Sequence, residues 1–269
     1  MKLGVASDLH LNFLKPTKQV AFLNKVDKEK YDALLLPGDI SDANGLMLSL
    51  NLLDTLNIPV YFVLGNHDFY HASIEFIRLK AIECCKASKN LIYLSDSKDT
   101  DYLDKYVVPI IGHDGWYDGG FGDYKKSRFE LNDFNLIGEF IGKDKWQRFE
   151  LMENLALEGT FHLQRHLEEL LLRKKFLKHI IILTHVPPFE ECCVTRYNEN
   201  PEHSIPFYCS KVIGETIKEY SDANKDVEFN VFCGHTHREW SGGITDNLTV
   251  HVSNAEYGFP KIKTIEVDI

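Results

Sequence analysis

The chain has 269 residues, 44% of them hydrophobic, enough for one large domain that buries roughly 70–75% of its unfolded surface. A formal charge of −10, from 30 basic and 40 acidic residues, disfavours long nucleic acid as a partner and leaves room for a small anionic ligand held by local cations. No apolar stretch is long enough to span a bilayer. The six cysteines, at 84, 85, 192, 193, 209 and 233, form no C-x-x-C pair, so reduced thiols and a cytoplasmic location are expected.

Short apolar runs, each bounded by Gly, Asp, Asn or Pro, read as buried strands. The first, residues 3–6, passes directly into "SDLH", which argues against a cleavable leader. The second, 33–36, ends in "PGDISD" and the third, 60–64, in "GNHD". A helix follows with Ile74, Ile77, Ala81 and Cys84 on one face. Further strands are expected at 91–94 and 106–111. Residues 112–178 then break the rhythm. They open with "GHDGWYDGGFGDY" and continue into a mainly helical stretch with Leu163, Leu167, Leu170 and Leu171 on one face and Thr160 as its expected N-cap. This segment reads as an insert within a single domain spanning 1–269, and residues 114–126 are expected to overhang the site.

A strand at 179–183 ends in "THVPP", and a long loop, 186–209, follows. A helix with Ile213, Thr216, Ile217 and Tyr220 on one face is expected behind Ser210. The strand at 227–232 ends in "CGHTH", "SGG" at 241–243 reads as a turn, and the last strands fall at 248–252 and 264–267. Strand–helix alternation in the first third argues for an α/β core. The closer spacing of the later strands points to a mixed or second sheet.

Five strand tips therefore carry Asp8 and His10, Asp39, Asn66 with His67 and Asp68, His185, and His235 with His237. Ligand sites in open α/β sheets form outside the carboxyl ends of strands, so these tips aim at one place. Pairs two apart, such as Asp8 with His10, would project to the same side of an extended backbone. Glycines before Asp39, Asn66 and His235 would let the chain turn. Any one of these histidines taken alone is more often structural; their joint placement carries the inference. Four His, two Asp and one Asn make a mixed N/O set without thiolate, which suits Mn, Fe, Zn or Co. Seven ligands exceed one tetrahedral ion and fit two ions sharing a carboxylate, for which Asp39 is the candidate. Ion pairs roughly 3.5–4 Å apart hydrolyse phosphate esters by clamping the attacking and leaving oxygens.

Taken together, Asp8-x-His10, Gly38-Asp39-x-x-Asp42, Gly65-Asn66-His67-Asp68, His185 and Gly234-His235-x-His237 resemble the calcineurin-like metallophosphoesterases. The resemblance implies a four-layer αββα sandwich of two mixed β-sheets flanked by helices. It implies that Asp8, His10 and His237 hold one metal, that Asn66, His185 and His235 hold the other, and that Asp39 bridges. His67 would be the general acid, or would only bind phosphate; Asp68 would orient its imidazole, or cap the helix that follows; and a metal-bound hydroxide would attack phosphorus. Asp42 would orient a ligand, or cap the next helix.

The family's protein phosphatases carry Arg before Gly-Asn-His, where this chain has Leu64. The pattern is closer to the phosphodiesterase branches, so a small phosphodiester is the expected substrate, and Mn the expected metal in vitro. A phosphomonoesterase and a non-catalytic metal-binding scaffold on the same fold are the alternatives. His113, Asp114, Trp116, Tyr117 and Asp118 either form a solvated loop or touch substrate. Arg196, Tyr197, His203 and Arg238 are expected at the solvated surface near the ligands, and Trp146, His162 and His166 are expected to pack a helix.

Overall fold

Alternation along the strands builds the layers. The computed structural model describes residues 1–97, 101–103, 108–172, 177–193 and 201–267. One sheet is made of parallel strands β1 (Lys2–Val5), β2 (Ala33–Pro37), β3 (Val60–Val63) and β4 (Leu91–Tyr93). The other contains β5 (Asp101–Leu103), β6 (Val108–His113), β7 (His179–Thr184), β8 (Glu228–Cys233), β9 (Trp240–Thr245) and β10 (Leu248–Val252), in the order β5-β6-β7-β8-β10-β9. Strand β11 (Lys263–Glu266) returns to pair antiparallel with β1, and β5 and β9 pair antiparallel with their neighbours. Both sheets are therefore mixed.

On β2, Ala33 and Leu35 face the second sheet. They pack with Leu3, Val5, Tyr61 and Val63 of their own sheet and Ile110, Ile181, Leu183 and Phe232 of the other. Leu34 and Leu36 point the opposite way, as the two-residue period of a strand requires. They meet the apolar faces of helices α1 (Pro16–Glu29), α2 (Leu46–Leu53) and α3 (Ile74–Ala87), through Phe22, Leu50 and Ile77 among others. The far face of the second sheet is covered in the same way. Two helices pack there: α5 (Lys145–Leu172) through Leu163, Leu167 and Leu170, and α7 (Lys211–Ala223) through Ile213 and Ile217. Two short helices, α4 (Asp133–Leu136) and α6 (Pro201–Ser204), lie in the connections. The result is a four-layer αββα sandwich. Among the described residues no helix is long and apolar enough to cross a membrane.

Several local expectations are corrected. "SGG" at 241–243 is not a turn but the middle of edge strand β9, where a Cβ on Gly242 would strike the Trp240 indole at 2.8 Å; the chain instead reverses at Asp246 and Asn247. Thr160 is no N-cap: α5 starts at Lys145, and the Thr160 hydroxyl donates to the Ala156 carbonyl one turn back. Ser210 precedes α7 without capping it. A carboxylate from far away in sequence, Asp118, accepts the Val212 N–H at 2.8 Å. The strand expected at 106–111 is β6, starting at Val108; its first two residues lie outside the described ones. Strands β5 and β9 had no apolar run to announce them.

Candidate metal centre

The carboxyl ends of β1, β2 and β3 in one sheet, and of β7 and β8 in the other, open toward one cleft. There the backbone is not extended. Asp8, His10, Asp39, His235 and His237 all have left-handed φ, between 45° and 68°, a region that non-glycine residues occupy at a cost and mostly at functional sites. The pairs two apart thus converge through left-handed bends and not through a strand's alternation, which corrects the sequence expectation. The bends are tied across neighbouring tips, with the Asp8 N–H donating to the Gly38 carbonyl and the His10 N–H to that of Asp39, each at 3.0 Å. Of the three glycines, only Gly38 uses positive φ, +85°. The others give room: a Cβ on Gly65 would lie 2.2 Å from Asp39 Oδ1, and one on Gly234 2.1 Å from Asp8 Oδ2.

Ligating atoms of Asp8, His10, Asp39 and His237 lie within 4.8 Å of one another. His237 Nε2 is 3.2 Å from Asp8 Oδ1 and 3.3 Å from His10 Nε2. Beside them, Asn66 Oδ1 lies 3.1 Å from His185 Nε2 and 3.1 Å from His235 Nδ1. Asp39 stands between the groups, with Oδ2 3.9 Å from His10 Nε2 and Oδ1 3.5 Å from His185 Nε2.

The protons of the second group decide what it can hold. His185 Nδ1 is 2.8 Å from the Pro37 carbonyl, and His235 Nε2 is 3.0 Å from that of Phe207. Each ring thus lies between two carbonyl oxygens, one of the backbone and one of Asn66, and a neutral ring that gives its single N–H to the backbone leaves its other nitrogen free to ligate. Burial keeps both rings neutral, lowering His185 and bringing His235 down to about 4. The remaining lone pairs, His185 Nε2 and His235 Nδ1, then face the carbonyl oxygen of Asn66. In that tautomer three acceptors meet with no proton among them, an arrangement that a cation relieves.

In the first group His10 is brought down to about 2, chiefly by burial; its Nε2 faces His237 and Asp39, and among the described residues its buried Nδ1 has no hydrogen-bond partner. Asp39 is pushed far up, first by burial and then by the carboxylates of Asp8 and Asp68. These side chains fit two divalent ions.

His67 lines the cleft, partly exposed, with its ring stacked on Tyr70 at 4.3 Å and its Nε2 4.0 Å from Asp39 Oδ2. Asp68 does not serve this imidazole, a second correction. Its carboxylate is buried beneath the strand tips and accepts the backbone N–H groups of Ile40, Ser41 and Gly65 at 3.3, 2.8 and 2.8 Å. Asp42 caps its own turn by accepting the Gly45 N–H at 2.8 Å.

The residue that the sequence did not single out is Asp133, at the start of α4. It is fully buried and accepts from Asn66 Nδ2, Tyr70 Oη and Tyr117 Oη at 2.9, 2.6 and 2.7 Å. Nothing in "LNDFNL" announces this; only the fold brings it under Asn66. Tyr257 was also missed. Its ring lies 4.5 Å from His10 and 5.2 Å from His237.

The cleft above these groups encloses about 330 Å³ and is walled by Phe129, Leu131, Tyr208 and Tyr257. Its wall comes from 129–133 and not from 114–126, so the expected overhang is replaced. His113, Asp114, Trp116, Tyr117 and Asp118 are buried, being neither a solvated loop nor part of the cleft lining. Asp114, for instance, holds the Leu64 N–H, the Ser95 and Tyr93 hydroxyls and the Arg78 guanidinium. His166 is buried on α5, with the His162 ring tilted against it at 4.6 Å, while Trp146 and Arg238 are exposed. His203 lies in α6, and its carbonyl accepts the Ser127 hydroxyl. Arg196 and Tyr197 lie outside the described residues.

A family model described as calcineurin-like phosphoesterase matches residues 1–239. No curated protein matches the chain. Among solved structures, a dimetal phosphatase from Danio rerio aligns with a TM-score of 0.56 at 14% identity, over 94% of this chain and 87% of its own. A 5'-nucleotidase from Candida albicans aligns with a TM-score of 0.47 at 12% identity, over 96% of this chain and 46% of its own.

Proposed function

The chain belongs to the calcineurin-like phosphoesterases, and from that membership we propose that it is a two-metal-ion phosphodiesterase acting on a small substrate. Metal-dependent phosphoester hydrolysis is the family's chemistry; the diester preference and the residue roles are proposed here. Asp8, His10 and His237 would hold one ion, Asn66, His185 and His235 the other, and Asp39 would bridge with one oxygen toward each group. The donor set suits Mn, Fe, Zn or Co. When bound, two such ions acidify water and offset the charge that develops on the phosphoryl oxygens.

The chain's own residues supply the rest. His67, at the cleft wall, donates a proton to the departing oxygen. Burial brings it down to about 4, and the negative charge of an arriving phosphate opposes that shift. The Tyr70 ring holds the imidazole from beneath. The Tyr208 and Tyr257 rings and Phe129 offer flat apolar walls to the groups esterified at phosphorus. The six free thiols support a reducing compartment, the cytoplasm.

The observation that carries the diester assignment is the charge of the cleft. Among the described residues no lysine or arginine lines it, whereas Glu130 and Asp133 do. Among the described residues a monoester dianion would find no lysine or arginine to pair with, and a singly charged diester needs none. The test uses metal-stripped protein restored with Mn²⁺ and offered bis-p-nitrophenyl phosphate and p-nitrophenyl phosphate. A higher kcat/KM on the diester is expected. Preference for the monoester overturns the assignment, and turnover of neither with any divalent ion favours a binding scaffold.

A further inference from the structure

The Asn66 amide can sit in two ways. As found, Nδ2 donates to Asp133 at 2.9 Å and Oδ1 faces His185 Nε2 and His235 Nδ1 at 3.1 Å each. Rotated by half a turn, the same amide would donate its two N–H groups to those bare ring nitrogens. That form satisfies the imidazoles, closes the pocket between them and presents hydrogen to an incoming cation. Only its other end opposes it. A carboxylate has no proton to give, so the rotated carbonyl would lie against an Asp133 oxygen in a buried space, where such a pair is strongly disfavoured. The carboxylate is itself fixed by the Tyr70 and Tyr117 hydroxyls, at 2.6 and 2.7 Å, and the ring of that same Tyr70 stacks on His67.

We infer that Asp133 is a positioning residue: it locks Asn66 in the cation-accepting orientation and so decides whether the second ion's site exists. The inference rests on the two-ion reading above. It assigns a role in the site to the connection between β6 and β7, through one buried carboxylate that holds Asn66.

The test counts ions and does not depend on turnover. Asp133→Leu keeps the volume and removes the acceptor. Wild type titrated with Mn²⁺ should bind two ions per chain and give the spin-coupled spectrum of a Mn pair by electron paramagnetic resonance. Asp133→Leu should bind the second ion ~10–100-fold more weakly and give the signal of an isolated ion, with its circular dichroism spectrum unchanged. A second pair of variants works even if Asp133→Leu does not fold. Asn66→Asp offers a stronger oxygen ligand but sets a carboxylate against Asp133, so it should bind the second ion poorly. Combining it with Asp133→Asn should restore tight binding, because the new amide donates to the new carboxylate. Two tightly held ions in folded Asp133→Leu, or a double variant no better than Asn66→Asp, overturns the inference. Fewer than two ions in wild type would overturn the underlying two-ion reading instead.

Discussion

At the scale of single residues, the two neighbours His67 and Asp68 have separate tasks, and kinetics can tell them apart. His67 faces the cleft and carries the proposed acid role. His67→Ala should lower turnover of diesters with poor leaving groups by ~10²–10⁴ and that of activated aryl diesters far less. Asp68 instead braces three amides beneath the strand tips. Asp68→Ala leaves those donors without their acceptor and should destabilise the fold by about 3 kcal/mol or more, with the same proportional loss on both kinds of diester. A leaving-group-selective loss for Asp68→Ala, with its melting temperature kept, would return Asp68 to the acid's side. The identities of the ligand candidates were legible, because His, Asp and Asn at strand ends have few other reasons to gather. The partnership of Asp68 was not, since adjacency in sequence says nothing about which way a buried carboxylate points.

Elements were legible where burial dictated them. All nine apolar runs correspond to strands; β2 and β3 are buried along their whole length, and strands enclosed on both faces must be apolar, whereas β11 at a sheet edge is mostly exposed. β9 escaped notice because an edge strand half open to solvent tolerates the glycines that spell a turn elsewhere. Helix ends were read less well for a related reason: Asp118 caps α7 from ninety-odd residues away, a contact that local spacing does not encode. The strand-tip glycines show the same limit. Read as pivots, two of the three are spacers. Gly234→Ala would put a methyl 2.0 Å from Ser7 Oγ and 2.1 Å from Asp8 Oδ2, and Gly65→Ala one 2.2 Å from Asp39 Oδ1. Both should weaken metal binding by at least ~10-fold. Gly243→Ala, whose methyl would meet nothing closer than 3.4 Å, should leave it intact. Isothermal titration with Mn²⁺ checks all three, and wild-type affinity in Gly234→Ala would show that the tips are looser than described.

At the scale of the molecule, the sandwich exists to bring two sheets' strand ends to one edge. β1, β2 and β3 contribute Asp8, His10, Asp39 and Asn66; β7 and β8 contribute His185, His235 and His237. The shared core of Val5, Leu35, Val63, Leu183 and Phe232 fixes the sheets against each other and so fixes the distance between the two groups of side chains. This convergence could be anticipated from motif order, whereas the support that Asp133 gives from the β6–β7 connection could not. The central claim is that the two groups hold a pair of ions joined by Asp39. Anomalous diffraction at the Mn edge, from crystals of the Mn²⁺-loaded protein, tests it most directly. Two peaks about 3.5–4 Å apart, flanking the Asp39 carboxylate, are predicted; one peak, or a second lying away from Asn66, His185 and His235, would contradict it.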